Sequence, residues 1–337
     1  MLVYFVDNQN NYDASVNIAL ETYLVENRLV DEPILLFYIN KPSIIIGRNQ
    51  NTFEEINQAY VDEHDIEVVR RMSGGGAVYH DLGNFSFCFI KDDDGSFRDF
   101  ASFTKPVIEA LHKMGATSAE LQGRNDLLID GRKFSGNAMY AKNGRMTAHG
   151  TIMFKSDLEE VTRALKPNKA KIESKGIKSV RSRVTNIEPY VDEQYKNLST
   201  EEFRDLILLE IFGVEKREDV KEYHLTEEDW QKVYAIREER FGNWDWNYGK
   251  SPAFDIKESH KFPFGLVDFR FNVKGGKIVE ARIFGDFFGL GDIQDVEQQL
   301  IGVKYDRASM SEVLKNIDVN KYFGNVTADD LVGMLFD

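Results

Sequence analysis

A glycine-rich segment with polar flanks is the part of the sequence best suited to bind a small anion. Residues 70–84 contain three consecutive glycines at 74–76, preceded by two arginines. Without Cβ atoms, the backbone N–H groups can approach a phosphate or carboxylate closely, and the arginines supply positive charge. The spacing is neither that of a P-loop nor that of a dinucleotide fingerprint. A glycine triplet alone is as often a flexible turn, so the interpretation depends on Arg70 and Arg71, expected at the entrance, and on His80.

A lysine in a predicted hairpin is the second candidate for chemistry. Lys133 follows a polar turn, a short strand and an Asp-Gly pair, which is typical of a tight hairpin turn. A lysine held at a fixed position can stabilise the negative charge that grows when a carboxylate attacks an α-phosphate. Solvated hairpin lysines are the commoner case. Ser135 beside it, and His149 and Thr151 farther along, favour the functional interpretation.

Basic residues are concentrated at 166–183, which carry seven of them against one acid, Glu173. This contrast is pronounced in a chain with a net charge of −14. Such a loop, with Gly176 as a hinge, is suited to close over an adenylate and pyrophosphate or to meet an acidic partner. A solvated basic surface is the alternative.

Composition narrows the class of protein. The 337 residues are 42% hydrophobic, enough for a folded core, and the strong negative charge argues against general nucleic-acid binding. Cys88 is the single cysteine and lies in an apolar run, which excludes an internal disulfide and a zinc cluster and fits a reducing cytoplasm. No secretory signal is recognisable at the start, and no segment approaches the roughly 20 apolar residues of a membrane helix. We therefore expect a cytoplasmic protein without a membrane partner.

Strand and helix patterns alternate over the first 240 residues or so and predict a mixed α+β layout around one substantial sheet. Asp13 is in position to cap the first helix. The predicted strands are 2–6, 34–39, 43–46, 66–71, 85–90, 126–130 and 149–154, and the predicted helices are 14–27, 53–62, 100–114, 156–165 and 200–211.

A second unit is predicted at the end of the chain. A segment rich in Trp, Gly and Asn at 241–249 precedes a new run of strands and helices, which places a domain boundary near 247–254. The predicted domains are 1–246 and 254–337. The second contains predicted strands near 263–273 and 277–284 and predicted helices at 292–301, 308–316 and 327–335.

These segments together resemble the lipoate–protein ligase family, within the larger group of biotin and lipoate ligases and lipoyl or octanoyl transferases. The match spans most of the chain, and its motifs are specific only in combination. The resemblance implies an α+β fold, with a large mixed-sheet catalytic domain and the small α+β accessory domain of the complete ligases. The motifs stand at 47–50, 70–84, 123–126, 132–136, 149–151 and 184–186.

The resemblance also implies a reaction. Lipoate and ATP, with Mg²⁺, would form lipoyl-AMP and pyrophosphate, and the ε-amine of an acceptor lysine would then displace AMP. The family's lysine falls on Lys133, which would orient and polarise the carboxyl and the α-phosphate. Asp126 is the first candidate for a magnesium ligand. The residues implied to bind ATP or the adenylate are Arg71, Ser73, Gly74, Gly75, Gly76, Ala77, Val78, Tyr79, His80, Asn84, Asn125, Asp126, Lys133, Ser135, His149 and Thr151, with Lys171, Lys175, Lys178 and Arg181 in the basic loop.

The acceptors that the resemblance implies are lipoyl domains of 2-oxoacid dehydrogenase subunits and the glycine-cleavage H protein, and analogy favours a monomer. Two alternatives remain open. An ATP-independent lipoyl or octanoyl transferase would need a reactive thiolate, whereas Cys88 is expected to be buried and inert. A non-catalytic protein that only binds lipoyl domains would have no need to retain Lys133 and the intact glycine segment. Biotin ligase is disfavoured because its Gly-Arg-Gly-Arg loop is absent from the sequence.

Overall fold

The computed structural model describes residues 3–165, 184–248 and 256–336, and ten strands precede residue 165. Seven of them form one mixed sheet in the order β1-β2-β6-β10-β9-β8-β7, in which only β1 and β2 are parallel. This confirms the predicted large mixed sheet. The seven strands are β1 (Tyr4–Asp7), β2 (Ile34–Tyr38), β6 (Asn84–Asp92), β7 (Glu120–Gln122), β8 (Asp126–Ile129), β9 (Arg132–Lys142) and β10 (Arg145–Met153).

A second, smaller sheet lies in the same part of the chain, so the expectation of one sheet was incomplete. It contains β3 (Ser43–Ile46), β4 (Glu67–Arg70) and β5 (Val78–His80), with β3 in the centre. The turn at 39–42 takes the chain out of the large sheet, and β3 then pairs in parallel with β4 and antiparallel with β5. The glycine-rich segment is therefore joined at both of its ends to strands of the small sheet.

Helices cover both faces of the large sheet. Helix α1 (Ala14–Glu26) is capped at its N-terminus by Asp13, whose side chain accepts a hydrogen bond from the backbone of Val16, as predicted. Nearly all of α1 is buried, because it lies between the large sheet and later helices. A phenylalanine-rich core forms on the opposite face. The remaining helices before residue 248 are α2 (Thr52–Glu55), α3 (Gln58–Glu63), α4 (Phe100–Lys113), α5 (Leu158–Ala164), α6 (Glu193–Lys196), α7 (Thr200–Phe212), α8 (Glu227–Ile236) and α9 (Trp244–Asn247).

Residues 256–336 form a small antiparallel sheet packed against helices, with a hydrophobic core of its own. This agrees with the predicted α+β accessory unit. Most of the predicted boundary, at 249–254, lies outside the described residues, so the division at that point stays a prediction. The elements are β11 (Ile256–Phe262), β12 (Gly265–Lys274), β13 (Lys277–Gly285), α10 (Ile293–Leu300), α11 (Arg307–Lys315), α12 (Val319–Phe323) and α13 (Ala328–Phe336).

The two units are in contact beside the glycine-rich segment. The backbone N–H of Gly285 donates to the carbonyl of Asn49 over 2.6 Å, and a Cβ atom on Gly74 would collide with the carbonyl oxygen of Phe287. The guanidinium of Arg48 lies 2.9 Å from a carboxylate oxygen of Asp292. The C-terminal unit therefore packs directly on the loop that was predicted to bind the ligand.

Candidate active site

A cavity of about 800 Å³ lies between the large sheet, the small sheet and the C-terminal unit. Its volume is within the usual range for small-molecule sites. The structure brings most of the predicted site residues to the wall of this cavity. Those that line it are Arg71, Gly75, Gly76, Ala77, Val78, His80, Asn125, Asp126, Lys133, His149 and Thr151.

The cavity extends across the strands of the large sheet. Asp126, Gly136, Thr151, Ser86 and Tyr38 all line it, and they occupy neighbouring positions on β8, β9, β10, β6 and β2. Four strand-to-strand intervals of about 4.8 Å correspond to roughly 19 Å. The cavity is therefore elongated, with Asp126 near one end and Tyr38 near the other.

A β-bulge places Lys133 on the cavity face. Asp130 and Gly131 form the hairpin turn, both with positive φ (48° and 74°), as the Asp-Gly pair predicted. Ser135 then pairs with Leu127, while Lys133 rather than Phe134 pairs with Leu128, which leaves one extra residue on β9. Because of the bulge, Lys133 lies on the same face of the sheet as Gly136 and not on the face of Ser135. Its Nζ atom consequently lies 2.8 Å from Oδ1 of Asp126.

The two arginines before the glycine triplet differ in position. Arg70 does not line the cavity, because its guanidinium donates to the carbonyls of residues 47, 48, 50, 246 and 247 and to Oγ1 of Thr52. Arg71 does reach the cavity wall. Its guanidinium donates to the carbonyls of Ile45, Gly74 and Gly76, and so holds the loop in shape. Burial lowers the pKa of each arginine to about 10, which leaves both charged at neutral pH.

His149 connects the loop to helix α1. Its Nε2 atom lies 2.7 Å from Oγ of Ser73, and its Nδ1 atom lies 2.6 Å from Oε1 of Glu21. The Ser73 hydroxyl also accepts a hydrogen bond from Nε of Arg71. Ser73 is buried behind the loop and does not line the cavity, so it supports the wall instead of facing a ligand.

Four other predicted residues also lie behind the cavity wall. Gly74 packs against the C-terminal unit, and Ser135 faces the core beneath β9. Tyr79 packs in the core of the small sheet, while Asn84 donates to Asp81 and Ser156. The positions predicted for the basic loop, Lys171, Lys175, Lys178 and Arg181, lie outside the described residues.

Comparisons with known proteins agree with this geometry. The model of the lipoyl protein ligase A/B catalytic domain matches residues 13–212, and that of the bacterial lipoate protein ligase C-terminus matches residues 251–335. The chain is 52% identical over 333 residues to the lipoate-protein ligase LplJ of Bacillus subtilis, covering 98% of this chain and 99% of the relative. The chain belongs to the lipoate–protein ligase family.

Solved structures support the same assignment. The P. falciparum LipL1 structure, which is in complex with lipoate, has a TM-score of 0.80 at 26% identity and covers 98% of each chain. A bi-partite lipoate protein ligase from Thermoplasma acidophilum, studied with its E2 lipoyl domain, has a TM-score of 0.62 at 27% identity. That likeness covers 76% of this chain and all of the other.

The only cysteine of this lipoate–protein ligase is not placed for catalysis. Cys88 is fully buried in β6, and its Sγ atom lies 2.9 Å from Oγ1 of Thr147. Burial, together with the nearby carboxylate of Glu21, raises the pKa of the thiol well above its ordinary value. A thioester mechanism needs an accessible thiolate, so the structure disfavours the transferase alternative.

Several cavity residues were missed by the sequence-based prediction. Arg124 stacks on the ring of Phe288, 4.6 Å from its centroid, and has one buried guanidinium nitrogen, Nη1, without a hydrogen-bond partner among the described residues. Asn137 likewise has an unpartnered buried oxygen. Lys261 and Asp286 enter from the C-terminal unit. Arg124 follows Gly123 in a motif already singled out, whereas no local pattern indicated the contributions from residues 261 and 286.

The described residues contain no cluster of three or more His, Cys, Asp or Glu side chains that could hold a metal ion. Magnesium commonly keeps several waters and binds through one or two carboxylates together with substrate phosphates. Asp126, on the cavity wall beside Lys133, fits that limited role. Across the same described ranges, every helix is too short or too polar to cross a membrane.

Proposed function

We propose that this ligase activates free lipoate with ATP and then transfers the lipoyl group to a lysine of a lipoyl domain. In the first step a carboxylate oxygen of lipoate attacks the α-phosphorus of ATP, and pyrophosphate leaves. In the second step the acceptor ε-amine attacks the acyl carbon, AMP leaves and the amine loses a proton. The mixed anhydride is needed because a free carboxylate acylates amines poorly.

The position of Lys133 carries this proposal. Its ammonium lies in the wall of an elongated cavity, held by the carboxylate of Asp126 at 2.8 Å. A ligand phosphate and carboxylate would replace that partner, so the lysine would stabilise negative charge as it develops. The backbone of Gly75 and Gly76, which also lines the cavity, offers close approach to the same anion.

The remaining residues divide the cavity between the two substrates. Arg124, Asn125 and Lys261 surround the Lys133 end with polar and cationic groups, which suits a nucleotide. The end near Tyr38 contains Ile18, Ile45 and Val78, which suits an acyl chain. Burial of each methylene there contributes about 0.8 kcal/mol. Mg²⁺ would enter with the phosphates of ATP, where it neutralises charge, and Asp126 is the carboxylate that we propose as its ligand.

The proposal also covers the proteins that accept the lipoyl group. We infer that lipoyl domains of 2-oxoacid dehydrogenase subunits and the glycine-cleavage H protein are modified. The Thermoplasma ligase, whose structure was studied with its E2 lipoyl domain, supports the first class. We also propose a monomeric enzyme in the cytoplasm, where an unpaired cysteine such as Cys88 persists as a thiol.

The deciding experiment measures pyrophosphate release by the purified chain with Mg-ATP and lipoate, with and without a lipoyl domain, followed by mass analysis of that domain. We expect lipoate-dependent release and a lipoyl mass gain. Modification from an acylated donor protein without ATP would instead establish a transferase.

Two lysine variants test the assigned role. Lys133→Ala should lower adenylation at least about 100-fold with little change in melting temperature. Lys142→Ala is the matched control, because Lys142 lies on the same strand, pairs with Glu26 at 2.6 Å and does not line the cavity. Near-normal lipoyl-AMP formation by a folded Lys133→Ala variant would contradict the role of that lysine.

A further inference from the structure

His80 is a buried cavity residue, and one of its ring nitrogens has no hydrogen-bond partner within the part of the chain that the structure describes. The side chain is 3% exposed and lines the cavity from β5. Its Nδ1 atom lies 2.9 Å from Nδ2 of Asn40, whereas its buried Nε2 atom has no hydrogen-bond partner among the described residues. An unsatisfied buried polar group costs free energy, which indicates that a bound molecule completes this site.

A relay of buried asparagines determines which nitrogen of His80 carries the proton. Nδ2 of Asn17 faces the backbone carbonyl of Asn11 at 2.8 Å, and a carbonyl can only accept. The same Nδ2 atom donates to Oδ1 of Asn40 at 2.9 Å, which orients that amide. Nδ2 of Asn40 must then donate to Nδ1 of His80, so the hydrogen of the neutral ring is on Nε2.

The ring stays neutral in this environment. Burial lowers the pKa of His80 to about 3, and the neighbouring Arg71 and His149 add to the effect. Nδ1 already accepts from Asn40, so Nε2 is the nitrogen available to a ligand, and it offers a hydrogen-bond donor. The ligand must therefore present an acceptor at this point.

His80 lies at the acyl end of the cavity. It pairs with Ser43 on β3, and its partner Asn40 is two residues beyond Tyr38 on β2. Lys133 lies on the other side, on β9, and the sheet ends beyond β8 at its edge strand β7. An acyl chain whose carboxyl is at Lys133 must therefore extend towards β2, and its far end approaches His80.

We propose that His80 determines acyl-chain specificity: its Nε2–H donates a hydrogen bond to a sulfur atom of the dithiolane ring. The inference rests on the proposed function, because it assumes that lipoate occupies this cavity. Sulfur is a weak acceptor, but a straight-chain fatty acid ends in a methyl group that cannot accept at all. Octanoate would leave the donor buried and unpaired, so the site favours a dithiolane-bearing acid.

The test compares lipoate with 5-cyclopentylpentanoate, which has the same chain and ring size but carries carbon in place of both sulfur atoms. Dissociation constants of both acids are measured by calorimetry for the full chain, for His80→Phe and for His64→Phe. His64 is an exposed histidine on the surface, so it controls for the substitution itself. The ratio of adenylation kcat/KM for the two acids is the second readout.

We expect the wild-type chain and His64→Phe to bind lipoate about 10-fold more tightly than the cyclopentyl acid. In His80→Phe the two constants should agree to within about twofold. A His80→Phe variant that keeps the wild-type preference would overturn the proposal. If that variant does not fold, the wild-type chain still decides, since equal binding of the two acids would also overturn it.

Failure of the proposed function has a different signature. In that case no acid supports pyrophosphate release, yet the calorimetric preference for sulfur can still be measured. A retained 10-fold preference without adenylation would support the role of His80 while refuting ATP-dependent ligation.

Discussion

Nδ1 of His149 lies 2.6 Å from Oε1 of Glu21, although the two residues are 128 positions apart in the chain. The contact joins strand β10 to helix α1 in a region where both residues are largely shielded from water. From His149 the chain of contacts continues through Ser73 to Arg71, whose guanidinium holds the carbonyls of the glycine-rich loop. The shape of that loop therefore depends on a carboxylate in the first helix.

Glu21→Gln should weaken this chain of contacts. The amide that replaces the carboxylate brings a donor towards His149, Tyr38 and Thr147, which all lie within hydrogen-bond distance of Glu21. Leaving a buried group poorly paired costs about 1–3 kcal/mol. We expect that loss in the free energy of unfolding, and a drop of about 10-fold in kcat/KM for lipoate.

Glu26→Gln on the same helix is the matched control. Glu26 pairs with Lys142 and Arg240 in a more exposed position, so its loss should cost no more than about 1 kcal/mol. Equal effects of the two substitutions on kcat/KM would argue against a specific contribution of Glu21 to the loop.

Local patterns predicted much of the fold and part of the site. The Asp-Gly turn before Lys133 and the cap at Asp13 were visible because a few adjacent residues determine each of them. Helix α8 (Glu227–Ile236) and the long strand β9 (Arg132–Lys142) were not predicted. Small and polar residues interrupt the apolar periodicity of β9, so its strand character depends on pairing with β8 and β10.

The geometry of the site could not be predicted from local sequence patterns alone. The face on which Lys133 lies depends on the register between β8 and β9, where a single bulged residue reverses the alternation. Arg70 was expected at the ligand entrance, but carbonyls from residues 47–50 and 246–247 occupy its donors. Such long-range partners leave no spacing pattern in the sequence.

Asp126→Asn should separate two roles of this carboxylate. The substitution removes the negative charge that faces Lys133 at 2.8 Å and also the carboxylate proposed for Mg²⁺. We expect adenylation at saturating ATP to fall at least about 10-fold, and the Mg²⁺ concentration for half-maximal rate to rise. A lower rate with an unchanged Mg²⁺ dependence would mean that Asp126 acts only through Lys133.

Cys88→Ser should leave both half-reactions largely intact. The thiol is fully buried beside Thr147 and does not itself line the cavity, so the main effect is a packing and solvation cost of about 1–2 kcal/mol. The native enzyme should also keep its activity after treatment with iodoacetamide. Loss of transfer in a folded Cys88→Ser variant would revive the thioester mechanism.

The pH dependence of stability should reveal the buried state of His80. In the folded chain its pKa is lowered to about 3, first by burial and then by Arg71 and His149, whereas the ordinary value is 6.5. Below pH 6.5 the unfolded chain therefore binds a proton that the folded chain does not bind, so stability attributable to His80 is lost as the pH falls from about 6.5 towards 3.

This loss has a measurable slope. One extra proton bound by the unfolded state lowers the free energy of unfolding by about 1.4 kcal/mol per pH unit. Urea unfolding of the wild-type chain and of His80→Phe at pH 4 to 7 should give curves whose slopes differ by that amount below pH 6, with the variant less sensitive to acid. Parallel curves over that range would mean that His80 is protonated equally in the folded and unfolded chains. Nδ1 would then carry a hydrogen and could not accept the hydrogen bond from Asn40.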